Sequence, residues 1–169
     1  METDSLARCE IELVAGEVKV AAAGRRLKTG LGSCIAVTLW DPLVRIGGMC
    51  HYMNSTRQKP SASGSAMDGW YSETALDLLL KRILTAGGQR GRLIAKVFGG
   101  GCMFWDSGRR RCKGSLLVQS NNLSAAQAWL ARHEIAVVAE HVGGAGYRQI
   151  IFDIATGDVW VKHVPLMVS

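Results

Sequence analysis

The pattern of apolar and polar positions predicts a domain built mainly of β-strands. Short runs rich in β-branched and apolar residues, bounded by glycine, proline, asparagine or aspartate, are typical of strands. By this criterion the sequence predicts strands over residues 16–23, 35–40, 44–52, 93–98, 116–118, 135–141, 149–154 and 159–164. Because these runs are spread along the whole chain, most elements of the domain are expected to pair into sheets.

Two segments have helical spacing instead. Over residues 71–86, apolar residues recur three and four positions apart, with Ser72 as the expected N-cap and Gly87 as the expected stop. A second helix is predicted over residues 123–133, and the polar stretch 54–69 is predicted to be a long loop. With no internal repeat or linker, we expect a single α/β domain over residues 1–169, with mixed β-sheet layers and two main helices.

Composition narrows the class of protein. A hydrophobic content of 48% with 20% charged residues favours a folded globular chain over a disordered one. No stretch approaches the roughly 18 apolar residues of a membrane span, so membrane insertion is not expected. The five cysteines are odd in number and form no Cys-x-x-Cys pair, which argues against a disulfide framework or a zinc ribbon. We therefore expect a cytoplasmic protein.

The net charge of +6 favours an acidic partner. The densest basic groups are Arg25, Arg26 and Lys28, and the run 109–113. These groups lack the interleaved aromatic residues of a nucleic-acid site, so no nucleic-acid partner is expected. An acidic protein partner is the better interpretation.

The strands around Pro42 bring a cysteine and a histidine together. If Pro42 and Leu43 form the centre of a hairpin, residues whose numbers sum to 85 face each other, and Cys34 then faces His51. An imidazole beside a thiol can activate it as a nucleophile, and the backbone N–H groups of Gly32 and Ser33 could stabilise an oxyanion. Alternatively, Cys34 is an ordinary buried apolar residue. A bulge in the second strand would instead turn Cys50 toward it.

Several segments resemble the CheD family of chemoreceptor glutamine deamidases. Residues 30–37 read Gly-Leu-Gly-Ser-Cys-Ile-Ala-Val, and residues 47–53 read Gly-Gly-Met-Cys-His-Tyr-Met. Downstream, residues 95–101 read Ala-Lys-Val-Phe-Gly-Gly-Gly, and a Gly-Gly-x-Gly-x-Arg segment follows at 143–148. Asn122 fits a further family position, so the resemblance extends from about residue 18 to residue 162.

The resemblance implies a CheD-like sandwich and a cysteine hydrolase that converts glutamines of receptor helices to glutamate, with no metal or cofactor. Cys34 and His51 match the family's cysteine and histidine. The family's threonine lies where this chain has Lys28, so Thr29, one position later, is the provisional third catalytic residue. A second departure is Asn54-Ser55, where the family usually has Leu-Pro.

The resemblance also implies partners. We expect the cytoplasmic helices of chemoreceptors, a CheC-type phosphatase as a further partner, and a monomeric chain. The alternative function is a catalytically impaired docking module that binds receptors or the phosphatase without turning over substrate. Lys28 is the residue that separates the two interpretations.

Overall fold

In the computed structural model, a five-stranded sheet lies between a pair of helices and a four-stranded sheet. The structure describes residues 9–56, 68–106, 111–112 and 116–166. The helices are α1 (Ser72–Thr85) and α2 (Leu116–Arg132). The strands are β1 (Cys9–Glu12), β2 (Val18–Ala22), β3 (Arg25–Leu31), β4 (Ile35–Asp41), β5 (Ile46–Tyr52), β6 (Ile94–Gly99), β7 (Trp105–Asp106), β8 (Arg111–Cys112), β9 (Ala136–Val142), β10 (Tyr147–Asp153) and β11 (Val159–Val164).

Both large sheets mix parallel and antiparallel pairs. The five-stranded sheet has the order β2-β5-β4-β6-β9, and its last pair is parallel because α2 connects β6 to β9. The four-stranded sheet has the order β1-β3-β10-β11, with β1 and β3 parallel. The expected α/β class, with mixed sheet layers and two main helices, is confirmed.

The two faces of the five-stranded sheet bury different cores. Alternate residues of β4 and β5 pack against α1 and α2 on one face, and the intervening residues face the four-stranded sheet. The helix-side core includes Val37, Cys50, Leu79 and Trp129. The core between the sheets includes Ala36, Met49, Leu27 and Phe152. Any residue of β5 that faces the second core therefore also faces β3 and β10.

Several of the predicted secondary-structure elements need correction. The segment 116–118 is the first turn of α2 and not a strand. A short apolar run fits either structure, so periodicity alone could not decide between them. Ser72 is not the N-cap, because that position is Tyr71 and the Ser72 hydroxyl donates to the carbonyl of Ser55. The predicted stop is confirmed, since Gly87 has a φ of 109° and its amide donates to Leu84. The predicted loop 54–69 lies mostly outside the described residues.

The hairpin between β4 and β5 has a different register from the predicted one. Ile35 faces Tyr52 and Ala36 faces His51, so paired residues sum to 87 and not to 85. The reason is a four-residue loop, 42–45, in which Arg45 has a left-handed φ of 52°. The Asp41 side chain accepts the backbone N–H of Leu43 and thereby fixes this loop. A shift of two residues preserves which face each side chain occupies.

One disulfide is present, contrary to the expectation drawn from the cysteine pattern. Cys102 and Cys112 are bonded, with their Cα atoms 5.8 Å apart. Cys9, Cys34 and Cys50 are free. Spacing could not reveal the pair, because the contact depends on the backbone turn after β6.

No helix in the described ranges is long and apolar enough to cross a membrane.

Candidate active site

His51 and Thr29 meet between the two large sheets. His51 lies on β5, on the face opposite the helices, and Thr29 lies on the inner face of β3. The Thr29 Oγ1 atom is 2.8 Å from His51 Nδ1 and 2.7 Å from the carbonyl oxygen of Leu13. Both side chains are buried. The sheet packing therefore joins two residues that are 22 positions apart in the chain.

The contacts of Thr29 fix the proton positions on the imidazole. A carbonyl oxygen can only accept, so the hydroxyl proton of Thr29 points to Leu13. Thr29 Oγ1 must then accept a proton from His51, which means that Nδ1 carries the hydrogen in the neutral ring. The other ring nitrogen, Nε2, is left with a lone pair. It is buried and has no hydrogen-bond partner among the described residues.

Burial keeps this imidazole neutral. Desolvation lowers the pKa of His51 from 6.5 to about 4, because the charged ring would lose the stabilisation that water provides. At neutral pH, Nε2 is thus a proton acceptor in an apolar surrounding. The ring can therefore accept a proton, as a general base must, although its lowered pKa makes it a weaker base than free histidine.

Cys34 lies one residue before β4 and is partly exposed. Its side chain packs against the core between the sheets, the same side on which His51 meets Thr29. The predicted direct opposition of Cys34 and His51 is wrong, because His51 faces Ala36. If the hairpin pairing is continued by one residue beyond β4, Cys34 and His51 are diagonal neighbours on the same face of the sheet. Cys50 belongs to the helix-side core, so the alternative based on a bulge does not apply.

The electrostatics of Cys34 and His51 do not favour a resting thiolate and imidazolium pair. Burial raises the pKa of the Cys34 thiol, and the hydrogen bond from its own backbone N–H acts in the opposite direction and is weaker. With the pKa of His51 lowered as well, both groups are neutral at neutral pH. The site is therefore suited to proton transfer from thiol to imidazole during attack.

A glycine turn after β6 holds the backbone of Cys34. The amide of Gly100 donates to the Cys34 carbonyl at 2.8 Å, and the amide of Gly101 donates to the Gly32 carbonyl at 2.9 Å. Gly99 has a φ of 110°, and a Cβ atom at that position would lie 2.1 Å from the Cys34 oxygen. Only glycine permits this close approach.

Gly32 and Ser33, the expected oxyanion donors, precede Cys34 in a bend. Gly32 is packed tightly, because an added Cβ would lie 2.9 Å from Cγ of Met103, whereas Ser33 is exposed. Both are next to Cys34 because they directly precede it in the chain. The role of their N–H groups stays a prediction.

Lys28 and Thr29 lie on opposite faces of β3. Lys28 points away from the site and forms an ion pair with Glu10 at 3.1 Å. Thr29 points inward through ordinary strand alternation. The lysine at the family's threonine position consequently places no charge next to His51.

Two further buried polar residues were only partly visible in the sequence. The side-chain amide of Asn122, on α2, donates to the carbonyl of Met53 at 2.7 Å, and the backbone carbonyl of Asn122 accepts from the Tyr52 hydroxyl at 2.7 Å. Arg148 is buried and donates to His141 Nδ1 at 2.7 Å and to the carbonyl of Gly143. The glycines at 143–146 were visible in the sequence before Arg148, but the contacts of Asn122 and Arg148 could not be predicted because they depend on the tertiary structure.

The described residues include no group of three or more histidine, cysteine or acidic residues that could hold a metal ion. The basic run 109–113 lies almost wholly outside the described residues. The other basic group is engaged in the sheet, where Arg26 pairs with Asp153 at 3.1 Å and lies over the ring of Trp160.

Comparison with known proteins bears on this geometry. The family model described as CheD chemotactic sensory transduction matches residues 54–163. The match begins after His51, so it contains none of the three residues at the centre of the site.

Named relatives extend the similarity across the amino-terminal part. A probable chemoreceptor glutamine deamidase CheD from Pseudomonas fluorescens is 41% identical over 157 residues, which cover 93% of this chain and 86% of that protein. One from Pseudomonas syringae is 40% identical over 160 residues, or 95% and 92% of the two chains. One from Thermococcus kodakarensis is 35% identical over 156 residues, or 92% and 93%. The chain belongs to the CheD family.

Proposed function

We propose that this protein deamidates glutamine side chains of chemoreceptors, with Cys34 as the nucleophile and His51 as the general acid and base. The relatives carry the name chemoreceptor glutamine deamidase, which supplies the reaction and the substrate class. The observation that carries the proposal is the hydrogen-bonded series from His51 to Thr29 to Leu13. It leaves Nε2 unprotonated on the side of the sheet where Cys34 packs.

The reaction is an acyl transfer through a thioester. The Cys34 sulfur attacks the side-chain carbonyl carbon of glutamine while His51 Nε2 takes the thiol proton. The tetrahedral intermediate collapses when that proton passes to the leaving nitrogen, and ammonia departs. His51 then deprotonates a water molecule, whose oxygen attacks the thioester and releases glutamate and the thiol. The net change is glutamine plus water to glutamate plus ammonia.

Thr29 is a positioning residue in this mechanism. Its hydroxyl holds the imidazole in the tautomer that has a lone pair on Nε2. It also accepts the Nδ1 hydrogen more strongly when the ring becomes charged, which stabilises the protonated base during catalysis. Gly32 and Ser33 are proposed to donate backbone hydrogen bonds to the oxyanion.

The docking module without catalysis is the weaker alternative. It depended on Lys28 disabling the site, yet Lys28 lies on the outer face of β3 and pairs with Glu10. We place the reaction in the cytoplasm, on the signalling helices of receptors, and propose a monomeric enzyme. The CheC-type phosphatase stays a predicted further partner.

The test compares the wild-type protein with Cys34→Ala on receptor cytoplasmic fragments, with glutamine-to-glutamate conversion measured by peptide mass spectrometry. Conversion should fall to background in Cys34→Ala and in His51→Ala, because removing either member of a nucleophile and base pair costs about as much as removing both. Cys50→Ala is the matched control, since that cysteine lies in the helix-side core. Equal conversion by the wild-type protein and Cys34→Ala would refute the proposal that this protein is a deamidase with Cys34 as its nucleophile.

A further inference from the structure

We propose that Cys102 and Cys112 form a redox-modified pair whose disulfide holds one wall of the Cys34 site in the form that binds substrate. The proposal deepens the proposed function, because the wall matters through the substrate that it admits. The pair contains none of Cys34, His51 and Thr29, so the bond acts through the packing of Met103 against Gly32 and not through the groups that transfer protons.

The first observation that supports the proposal is the position of Cys102 in the chain. It directly follows the glycine turn that donates hydrogen bonds to Cys34 and Gly32. Its own amide donates to the Gly144 carbonyl at 2.7 Å, and its carbonyl accepts from Gly146 at 2.9 Å. The backbone of Cys102 is therefore fixed on one side by the loop before β10.

The next residue forms the wall. The side chain of Met103 lies against Gly32, two positions before Cys34 in the chain, so closely that a methyl group on Gly32 would collide with it. Beyond Met103 the chain enters β7, whose Trp105 pairs with Cys112 of β8. The disulfide joins the two ends of the segment 102–112 and so restricts the turn that carries Met103.

Helix α2 connects the same elements. Gln119 Nε2 donates to the Gly101 carbonyl at 3.2 Å and lies 3.9 Å from Cys112 Sγ. The sulfur of Cys102 lies 3.3 Å from the carbonyl oxygen of Phe104. Disulfide, helix and glycine turn thus form one contact network beside the nucleophile.

A cytoplasmic compartment keeps most thiols reduced, so a disulfide there is conditional. The oxidant is a low-molecular-weight disulfide such as glutathione disulfide. The Cys102 thiolate attacks one of its sulfurs and releases one glutathione thiolate; the Cys112 thiolate then attacks Cys102 Sγ and releases the second. Two protein thiols lose two electrons and two protons, and the disulfide reagent gains the electrons.

Reduction removes the covalent restriction on Met103 but leaves the contact of Thr29 with His51, which depends on β3 and β5. We expect the KM for a receptor fragment to rise about fivefold on reduction, with kcat changed less than about twofold. The wall is ordered in the bonded form, so the ordering cost of binding is smaller there.

The experiment equilibrates the wild-type protein and a Cys102→Ser/Cys112→Ser variant in glutathione buffers of different reduction potential, then blocks free thiols with N-ethylmaleimide. Peptide mapping gives the fraction bonded, mass spectrometry gives KM and kcat, and hydrogen–deuterium exchange is measured on peptides covering residues 99–106. The proposal is supported if, in the wild type, KM and hydrogen–deuterium exchange both fall as the bonded fraction rises. The double variant should resemble the reduced wild type at every potential.

Other outcomes overturn the proposal. Equal exchange in bonded and reduced wild type would show that the bond does not order the wall. A double variant whose KM still follows the potential would show that oxidation acts elsewhere, for instance on Cys34. If no deamidation occurs in any state, the proposed function fails, but exchange still decides whether the bond orders the wall.

Discussion

At the residue scale, the environment of His51 determines what the site can do. One ring nitrogen gives its hydrogen to Thr29, and the other is buried without a partner among the described residues. Burial lowers the pKa of the ring to about 4 and raises that of Cys34. The proposed reaction therefore starts from a neutral thiol and a neutral imidazole, and charge develops as it proceeds.

The Thr29 hydroxyl should matter through its hydrogen bond and not through its size. We predict that Thr29→Val, which keeps the volume, lowers kcat by about 10- to 100-fold, whereas Thr29→Ser stays within about threefold of wild type. Lys28→Ala is the matched control on the neighbouring position, and it should stay close to wild type because Lys28 faces Glu10. Steady-state deamidation of a receptor fragment measures all three. Equal kcat for Thr29→Val and wild type would contradict the positioning role.

The loss of activity at low pH should follow the protonation of the His51 imidazole. Below its pKa, His51 is protonated and cannot accept the thiol proton, so kcat/KM should fall as the pH drops through about 4 and not near 6.5. Initial rates between pH 3.5 and about 8 on one receptor fragment test this, with folding followed by circular dichroism at each pH. A half-maximal rate at or above pH 6.5 in folded protein would mean that His51 is not desolvated as described.

At the element scale, the strands that position the site were unequally visible in the sequence. β4 and β5 were predicted because their β-branched and apolar runs end at clear turn residues. β3 was missed because only Leu27, Thr29 and Leu31 face inward, while charged residues and a glycine occupy its outer face. Thr29 could be nominated only through the family resemblance, since its partner His51 lies on the other sheet.

The nomination of Cys34 with His51 followed from a register that was wrong by two residues. The loop 42–45 is two residues longer than assumed, and its length depends on a left-handed Arg45 and on contacts of Asp41. A two-residue error preserves the face of every side chain, so the pair was still assigned to one face. An error of one residue would have assigned them to opposite faces.

At the element scale, the glycine turn after β6 should be sensitive to substitution. Gly99→Ala combines a left-handed φ of 110° with a collision against the Cys34 carbonyl, so it should destabilise the fold by about 2 to 4 kcal/mol. Its remaining folded fraction should still deamidate more slowly, because the backbone of Cys34, the proposed nucleophile, must move. Gly91→Ala, where an added Cβ meets nothing within 4 Å, should change stability by less than about 0.5 kcal/mol.

Urea unfolding and deamidation rates of the two glycine variants provide the measurement. If Gly99→Ala and Gly91→Ala were equally stable and equally active, the close approach of Gly99 to Cys34 would have no energetic importance.

At the scale of the whole molecule, the site lies within the core that joins the two sheets. His51 is on β5 of one sheet, Thr29 is on β3 of the other, and the apolar cluster that includes Leu27, Ala36 and Phe152 surrounds the junction. The neutral imidazole on which the proposed mechanism depends is thus also part of the contact between the two sheets. Protonating it must affect both activity and stability.

The last prediction concerns that stability. The folded pKa of His51, about 4, lies below its unfolded value of 6.5, so between these values the unfolded chain binds more protons. The free energy of unfolding should therefore fall as the pH drops from about 6.5 to 4, by at most about 3 kcal/mol for this group. Above about pH 7.5, where the unfolded ring is also neutral, the group should contribute almost no pH dependence.

The comparison of wild type with His51→Gln isolates this effect from the carboxylates that titrate in the same range. Glutamine has no charged form, so its stability curve should be flatter between pH 6.5 and 4, and the two curves should run parallel above that window. Urea denaturation at half-unit pH steps gives both curves. Parallel curves throughout would show that the ring protonates as easily in the folded protein as in the unfolded chain, and the buried general base would then have to be abandoned.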